Sequence, residues 1–492
     1  MGYTRRKVFQ WGVASSIAIP SLGGLVARAS TKRGDLIPTV DANTGASLIK
    51  LPEGFSYETM SWESTRMADG SLIPKRHDGM AVVPGASENE YVLLRNHENW
   101  FDDKPFGGDG VPIYDSASNT IEMDEGAGKV PVTLAPSGGV TGLIFKDGVY
   151  QETVPLLTGT MVNCAGGPTP WGTWLTCEEI VVRGDRVKGF PEALHDHGYV
   201  FEVPPPHLGN ASAKPIKDMG LFRHEAVAID PLTGYGYLTE DNGPNSGLYR
   251  FIPSDNSQQV GSLEKGGKLQ MLKVRGESNT DLRDVRRGDS FELEWIPIEN
   301  PDSDPDGVER VSLSNMFVGK SGPYMEGEKK GGARFSRLEG CWHHDGIIYF
   351  VDTDSGPAGA GTLWILDTKT DKITVMFTST GEMQADAIDN VGVNDRTGLI
   401  VVCEDGGGIR SEEDDSFIGS RMLVIKPDGS AVAFAENNLN LESLNESIPA
   451  ELGDYRSSEW AGATFSPDGQ TLYANIQTPG VTFAITGPWS DL

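Results

Sequence analysis

Beyond an apolar stretch near its start, the chain carries little of the three-to-four-residue hydrophobic rhythm that marks amphipathic helices. A different unit recurs. An acidic residue opens it, a short apolar run leads to a tight-turn signal, and a second β-rich run ends on another acid beside Gly or Asn. The clearest copy opens at Glu225, turns at Asp230-Pro231-Leu232-Thr233-Gly234, reaches Glu240-Asp241-Asn242-Gly243 and closes on Leu248-Tyr249-Arg250-Phe251. A second opens at Glu339, turns at Asp345-Gly346 and reaches Asp352. A third opens at Asp389-Asn390, turns at Asp395-Arg396-Thr397-Gly398 and reaches Glu404-Asp405-Gly406. A fourth opens at Glu459, turns at Pro467-Asp468-Gly469 and reaches Asn475 and Gln477. Two looser copies open at Cys164, reaching Glu178-Glu179, and at Asp78, reaching Glu98.

A strand, a tight turn and a returning strand fill the roughly 13 to 16 residues that mostly separate the two polar positions of a unit. Radial repetition of such sheets predicts an all-β fold, a six-bladed β-propeller whose innermost strands line a central channel. A pair of β-sandwiches is the structural alternative. Uneven spacing places insertions on the propeller faces, notably between Glu98 and Val140 and from Ser254 to Val318. The 61 glycines and 30 prolines, without any collagen-like period, supply the many turns.

The start of the chain bears on compartment. Thr4-Arg5-Arg6-Lys7-Val8-Phe9, the moderately apolar segment Trp11 to Val26 and the small-residue site Ala27-Arg28-Ala29-Ser30 predict a twin-arginine export signal over residues 1–29. The apolar segment is too short and too rich in Gly, Ser and Pro to span a membrane. Residues 30–492 are then one propeller domain, exported as a folded monomer to the periplasm or beyond, with the twin-arginine machinery as partner. Against 41 Lys and Arg stand 70 Asp and Glu, a formal net charge of -29, which argues against nucleic-acid or anionic-membrane binding. Four cysteines in 492 residues are no disulfide framework, and they lack C-x-x-C zinc spacing.

If the unit openings share one axis, Asp78, Cys164, Glu225, Glu339, Asp389 and Glu459 form a ring. Five carboxylates focused on one channel repel one another unless protons or cations intervene. Oxygen donors suit hard cations such as calcium, and a thiolate among them invites a softer, redox-active metal. Glu178 and Glu179 are neighbours, so on a regular strand they face opposite ways, and only a bulge would bring both to a metal. Asp389-Asn390 and Asn96-His97-Glu98 offer clustered oxygen and nitrogen donors. The bland alternative for these acids is turn capping in a generic propeller. Arg223 and Arg337 each stand two residues before a ring glutamate and so share its face; a guanidinium beside a cation cluster suits phosphate oxygens. A salt bridge to a neighbouring carboxylate is the plainer role for either. No G-x-S-x-G elbow, Walker loop or H-E-x-x-H motif is present.

The segment Asn163-Cys164-Ala165-Gly166-Gly167-Pro168-Thr169-Pro170-Trp171-Gly172-Thr173-Trp174-Leu175-Thr176-Cys177-Glu178-Glu179 resembles the most characteristic motif of the PhoX-type alkaline phosphatases. Phe222-Arg223-His224-Glu225, Arg337-Leu338-Glu339-Gly340, Asp389-Asn390 and Phe465-Ser466-Pro467-Asp468-Gly469 are similar to further motifs of that family. The resemblance implies a six-bladed propeller with two iron and three calcium ions. It implies Cys164 as the thiolate bridging the irons, with Glu178, Glu179, Glu225, Glu339, Asp389, Asn390 and Glu459 as further metal ligands. Arg337 is implied as the catalytic group holding the phosphate of small-molecule phosphate esters. Two other classes stay open: a calcium-dependent lactonase or phytase-like propeller hydrolase, and a non-catalytic binding propeller. Cys164 and Arg337 speak against a lactonase.

Overall fold

Each predicted hairpin is present as a pair of short antiparallel strands in the computed structural model, which describes residues 36–101, 104–125, 128–187, 194–308, 319–411, 414–441 and 448–492. The expected export signal, residues 1–29, lies outside the described residues. Turn chemistry sets the hairpins. At Asp345-Gly346 both residues take positive φ (47° and 78°), the two-residue turn whose twist matches that of the flanking strands. Burial follows distance from the centre. His224–Ile229, Ile388–Val393 and Trp460–Phe465 are buried at every position, whereas Lys372–Thr378 alternates as an outer strand does.

The opening strands of the six units are His77–Pro84, Asn163–Pro168, His224–Ile229, Leu338–His344, Ile388–Val393 and Trp460–Phe465. They pack side by side in that order, and the last returns against the first. Small residues make the convergence possible. A Cβ on Gly167 would lie 1.6 Å from the Val227 carbonyl oxygen, and one on Gly392 would lie 2.1 Å from that of Ala463. An early strand closes the arrangement: Ser56–Met60 pairs with Val481–Thr486, the outer strand of the last unit.

The result is all-β and propeller-like, but it corrects the expectation of six separate blades. Four blade-like sheets, of four, three, six and four strands, accompany one nine-stranded sheet. That sheet unites the units opening at Glu225 and Glu339, because Ser290, Phe291 and Glu292 pair with Thr374, Ile373 and Lys372. Its two end strands lie against each other, so it nearly closes on itself. The stretch from Ser254 to Val318 is therefore not simply a face insertion: Gly267–Val274 and Ser290–Ile298 lie within this sheet. The insertion after Glu98 does form a separate hairpin, Asn119–Glu125 with Gly128–Leu134. Among the described residues no helix is long and apolar enough to cross a membrane.

Candidate metal centre

All six opening strands share one irregularity. Pairing with the second strand skips from His77 to Met80, Asn163 to Gly166, His224 to Val227, Leu338 to Cys341, Ile388 to Val391 and Ala461 to Thr464. Two residues there oppose one, a β-bulge, which re-aims side chains. The first bulged residues are Asp78, Cys164, Glu225, Glu339, Asp389 and Gly462. Five of the six expected ring members thus occupy one repeated position. Glu459 does not; Gly462 stands there, and Glu459 joins the centre from three residues earlier.

A second tier comes from the returning strands. The backbone N–H of Glu98, Glu179, Asp241, Thr353 and Asp405 donates to the carbonyl of Arg76, Val162, Arg223, Arg337 and Ala387, in each case the residue before the bulged pairing. The two tiers create four groups able to hold a metal ion, each with its ligand atoms within 4.8 Å of one another. They are Glu98, Cys164 and Glu179; Asp78, Glu98 and Glu459; Glu225, Glu339 and Asp389; and Asp389, Asp405 and Glu459. Cys164 is buried, and its Sγ lies 2.9 Å from Glu225 Oε1 and 3.7 Å from Asp78 Oδ1. Gln477 Nε2 donates to Asp78 Oδ2 (3.1 Å), to Glu98 Oε2 (2.5 Å) and to Glu459. This amide nitrogen occupies the place among three carboxylates that a cation would contest.

Glu178 is not brought to the centre. Strand alternation holds at Glu178-Glu179, so only Glu179 faces inward, while Glu178 accepts from Met161 N (2.9 Å), Gly198 N (2.8 Å) and His197 Nδ1 (2.6 Å). Glu404 braces Asp386 N (2.7 Å), and Asp352 braces Ser336 N (3.1 Å) and Arg337 N (2.8 Å), so these two acids, like Glu178, hold the entry to an opening strand. Asn390 donates to Asp389 Oδ1 (2.9 Å) and accepts from Gly462 N (2.7 Å), bridging neighbouring bulges. His224 is buried against Phe222, and burial pushes its pKa down to about 3, so it stays neutral.

Arg337 donates from Nε (2.9 Å) and Nη2 (2.7 Å) to Asp241, and Nη2 lies 2.6 Å from Glu339 Oε1. Its Nη1 has no hydrogen-bond partner among the described residues. Arg223 Nη2 donates to Glu179 (2.6 Å) and lies 3.8 Å from Asp241. Burial pushes the Asp241 carboxyl up, but the pull of Arg337 and Arg223 outweighs it and holds the group well below the usual carboxylate range. Glu98 enters the centre from the expected Asn96-His97-Glu98 donor cluster, whereas Asp241 and Asp405 are the acids that sequence reasoning left without a site role. Their signal was the doublet: in Glu178-Glu179, Glu240-Asp241 and Glu404-Asp405 the second acid faces the axis. The four cysteines are free thiols, all buried.

The sequence profile described as "Alkaline phosphatase PhoX" matches residues 34–139 and 136–480. The chain belongs to the PhoX alkaline phosphatase family. No curated protein sequence matches this chain. Likeness to solved structures is slight. The nidogen/laminin complex shares 9% identity at a TM-score of 0.35, covering 70% of this chain and 83% of that one. A gluconolactonase from Xanthomonas campestris shares 11% at 0.33, covering 84% and 97%. The PQQ-bound aldose sugar dehydrogenase from Streptomyces coelicolor shares 12% at 0.30, covering 78% and 100%. At these scores the likenesses carry no argument. What PhoX membership adds is a metal-dependent phosphatase family, in keeping with the metal-capable groups at the axis.

Proposed function

We propose that this PhoX family member is an exported phosphomonoesterase, a phosphoric monoester hydrolase whose cation cluster combines iron and calcium. The observation that carries the reading is the convergence of four metal-capable groups, one including the Cys164 thiol, beside the Asp241-bound Arg337. The donor set fits such a cluster: a soft thiol suits iron, and Glu179, Glu225, Glu339, Asp389 and Glu459, with Asp78, Glu98 and Asp405, supply hard oxygens. Bound cations would polarise the phosphoryl group and offset the charge that develops on it.

The chain's own residues do the rest. Arg337, oriented by two hydrogen bonds to Asp241, presents Nη1 to a phosphoryl oxygen and stabilises it more as charge builds. The bulges hold the ring carboxylates in fixed positions before substrate arrives, so little reorganisation accompanies the reaction. The twin-arginine pattern at residues 4–29 supports export in the folded state, and the chain acts on small-molecule esters outside the cytoplasm.

Elemental analysis of natively exported protein, paired with p-nitrophenyl phosphate turnover, tests the reading. Iron and calcium with turnover support it. Folded, exported protein that carries neither metal and turns over nothing refutes it.

A further inference from the structure

Arg223 and Arg337 occupy equivalent places in the two halves of the nine-stranded sheet, each just before a bulged pairing. Asp241 is likewise the counterpart of Glu98, Glu179 and Asp405. Those three contribute to metal-capable groups, and Asp241 contributes to none among the described residues. It is 1% exposed and meets both guanidinium groups instead, Arg337 through two hydrogen bonds and Arg223 at 3.8 Å. Each arginine also reaches one ring-side acid, Glu339 or Glu179, at 2.6 Å. One buried carboxylate therefore keeps two like-charged forks side by side at the edge of the cation groups.

Resting on the phosphomonoesterase reading, we infer that Asp241 is a positioning residue that sets Arg223 and Arg337 as a two-guanidinium clamp for a dianionic phosphoryl group, making the site selective for monoesters over diesters. A monoester dianion offers three non-bridging oxygens and two charges; a diester offers two oxygens and one charge. Two forks match the former, and a geometry shared between two arginines has to be imposed by a group that touches both.

The test uses the full metal-loaded chain and Asp241→Asn. Inorganic phosphate affinity is read by calorimetry, metal content by elemental analysis, and selectivity as the kcat/KM ratio of p-nitrophenyl phosphate to bis(p-nitrophenyl) phosphate. The expected result is at least a tenfold loss of phosphate affinity and a tenfold fall in the ratio, with metal content unchanged. Wild-type affinity and ratio in folded, metal-loaded D241N overturn the inference. If D241N does not fold, Arg223→Gln is measured in its place, and unchanged affinity and ratio there overturn it equally. Wild-type protein that binds no phosphate and cleaves neither ester defeats the phosphomonoesterase reading itself, before either variant is compared.

Discussion

The buried Glu178–His197–Asp115 network makes stability depend on pH in a way that can be worked out. His197 is fully buried, with Nδ1 2.6 Å from Glu178 Oε1 and Nε2 3.4 Å from Asp115 Oδ2. Burial pushes its pKa down, but the Glu178 charge and the hydrogen bonds to Asp115 and Glu178 outweigh burial and raise it from 6.5 to about 9. A histidine whose folded pKa is raised contributes stability that is complete below pH 6.5 and is lost as pH climbs through about 9. At roughly 1.4 kcal/mol per pH unit, that contribution is about 3 kcal/mol. The perturbation is His197→Gln, which keeps an amide donor but cannot titrate. Urea unfolding midpoints of both proteins at pH 6, 7.5, 9 and 10 are the assay. Wild type is expected to lose about 3 kcal/mol relative to the variant between pH 6 and 10, most of it between 6.5 and 9. Parallel pH curves for the two proteins would mean that the imidazolium is not held by its carboxylates, and the reasoning fails.

Other outcomes follow from the same geometry. Gly167→Ala forces a methyl into the Val227 carbonyl and is expected to cost about 3 kcal/mol or more, read as a lowered melting temperature and reduced soluble yield. Tyr249→Phe removes the 2.6 Å donor to the buried Glu240 carboxylate and should destabilise by about 1–3 kcal/mol, measured by chemical denaturation. Cys164→Ser exchanges a soft donor for a hard one, so elemental analysis is expected to show iron falling well below calcium. Stripping cations with chelator leaves Glu225, Glu339 and Asp389 crowded, and the melting temperature should drop and recover when metal returns.

Much of this was legible in the chain. The turn signals located the hairpins, and five of six ring positions, four acids and Cys164, could be read from matched places because every unit carries the bulge at the same point. Glu459 misled because its unit has Gly462 at the bulge, so an acid close in sequence stood in for the matching residue. The second tier was hidden for a related reason. Glu178 and Glu240 are as acidic as Glu179 and Asp241, and only the register decides which member of a doublet faces the axis. The nine-stranded sheet was not legible at all. It depends on a three-residue pairing between Ser290–Glu292 and Lys372–Thr374, and no local pattern in either segment specifies the other.

The strand Ser56–Met60, hydrogen-bonded beside Val481–Thr486, makes an early and a late segment of the chain neighbours on one sheet. Loss of either segment would strip that sheet of a strand and expose its edge. Cutting the chain at the Asp345-Gly346 turn leaves that ladder as a non-covalent bond between the two pieces. Continuity of the backbone is then separable from the ring it forms, and the two pieces should assemble the same centre.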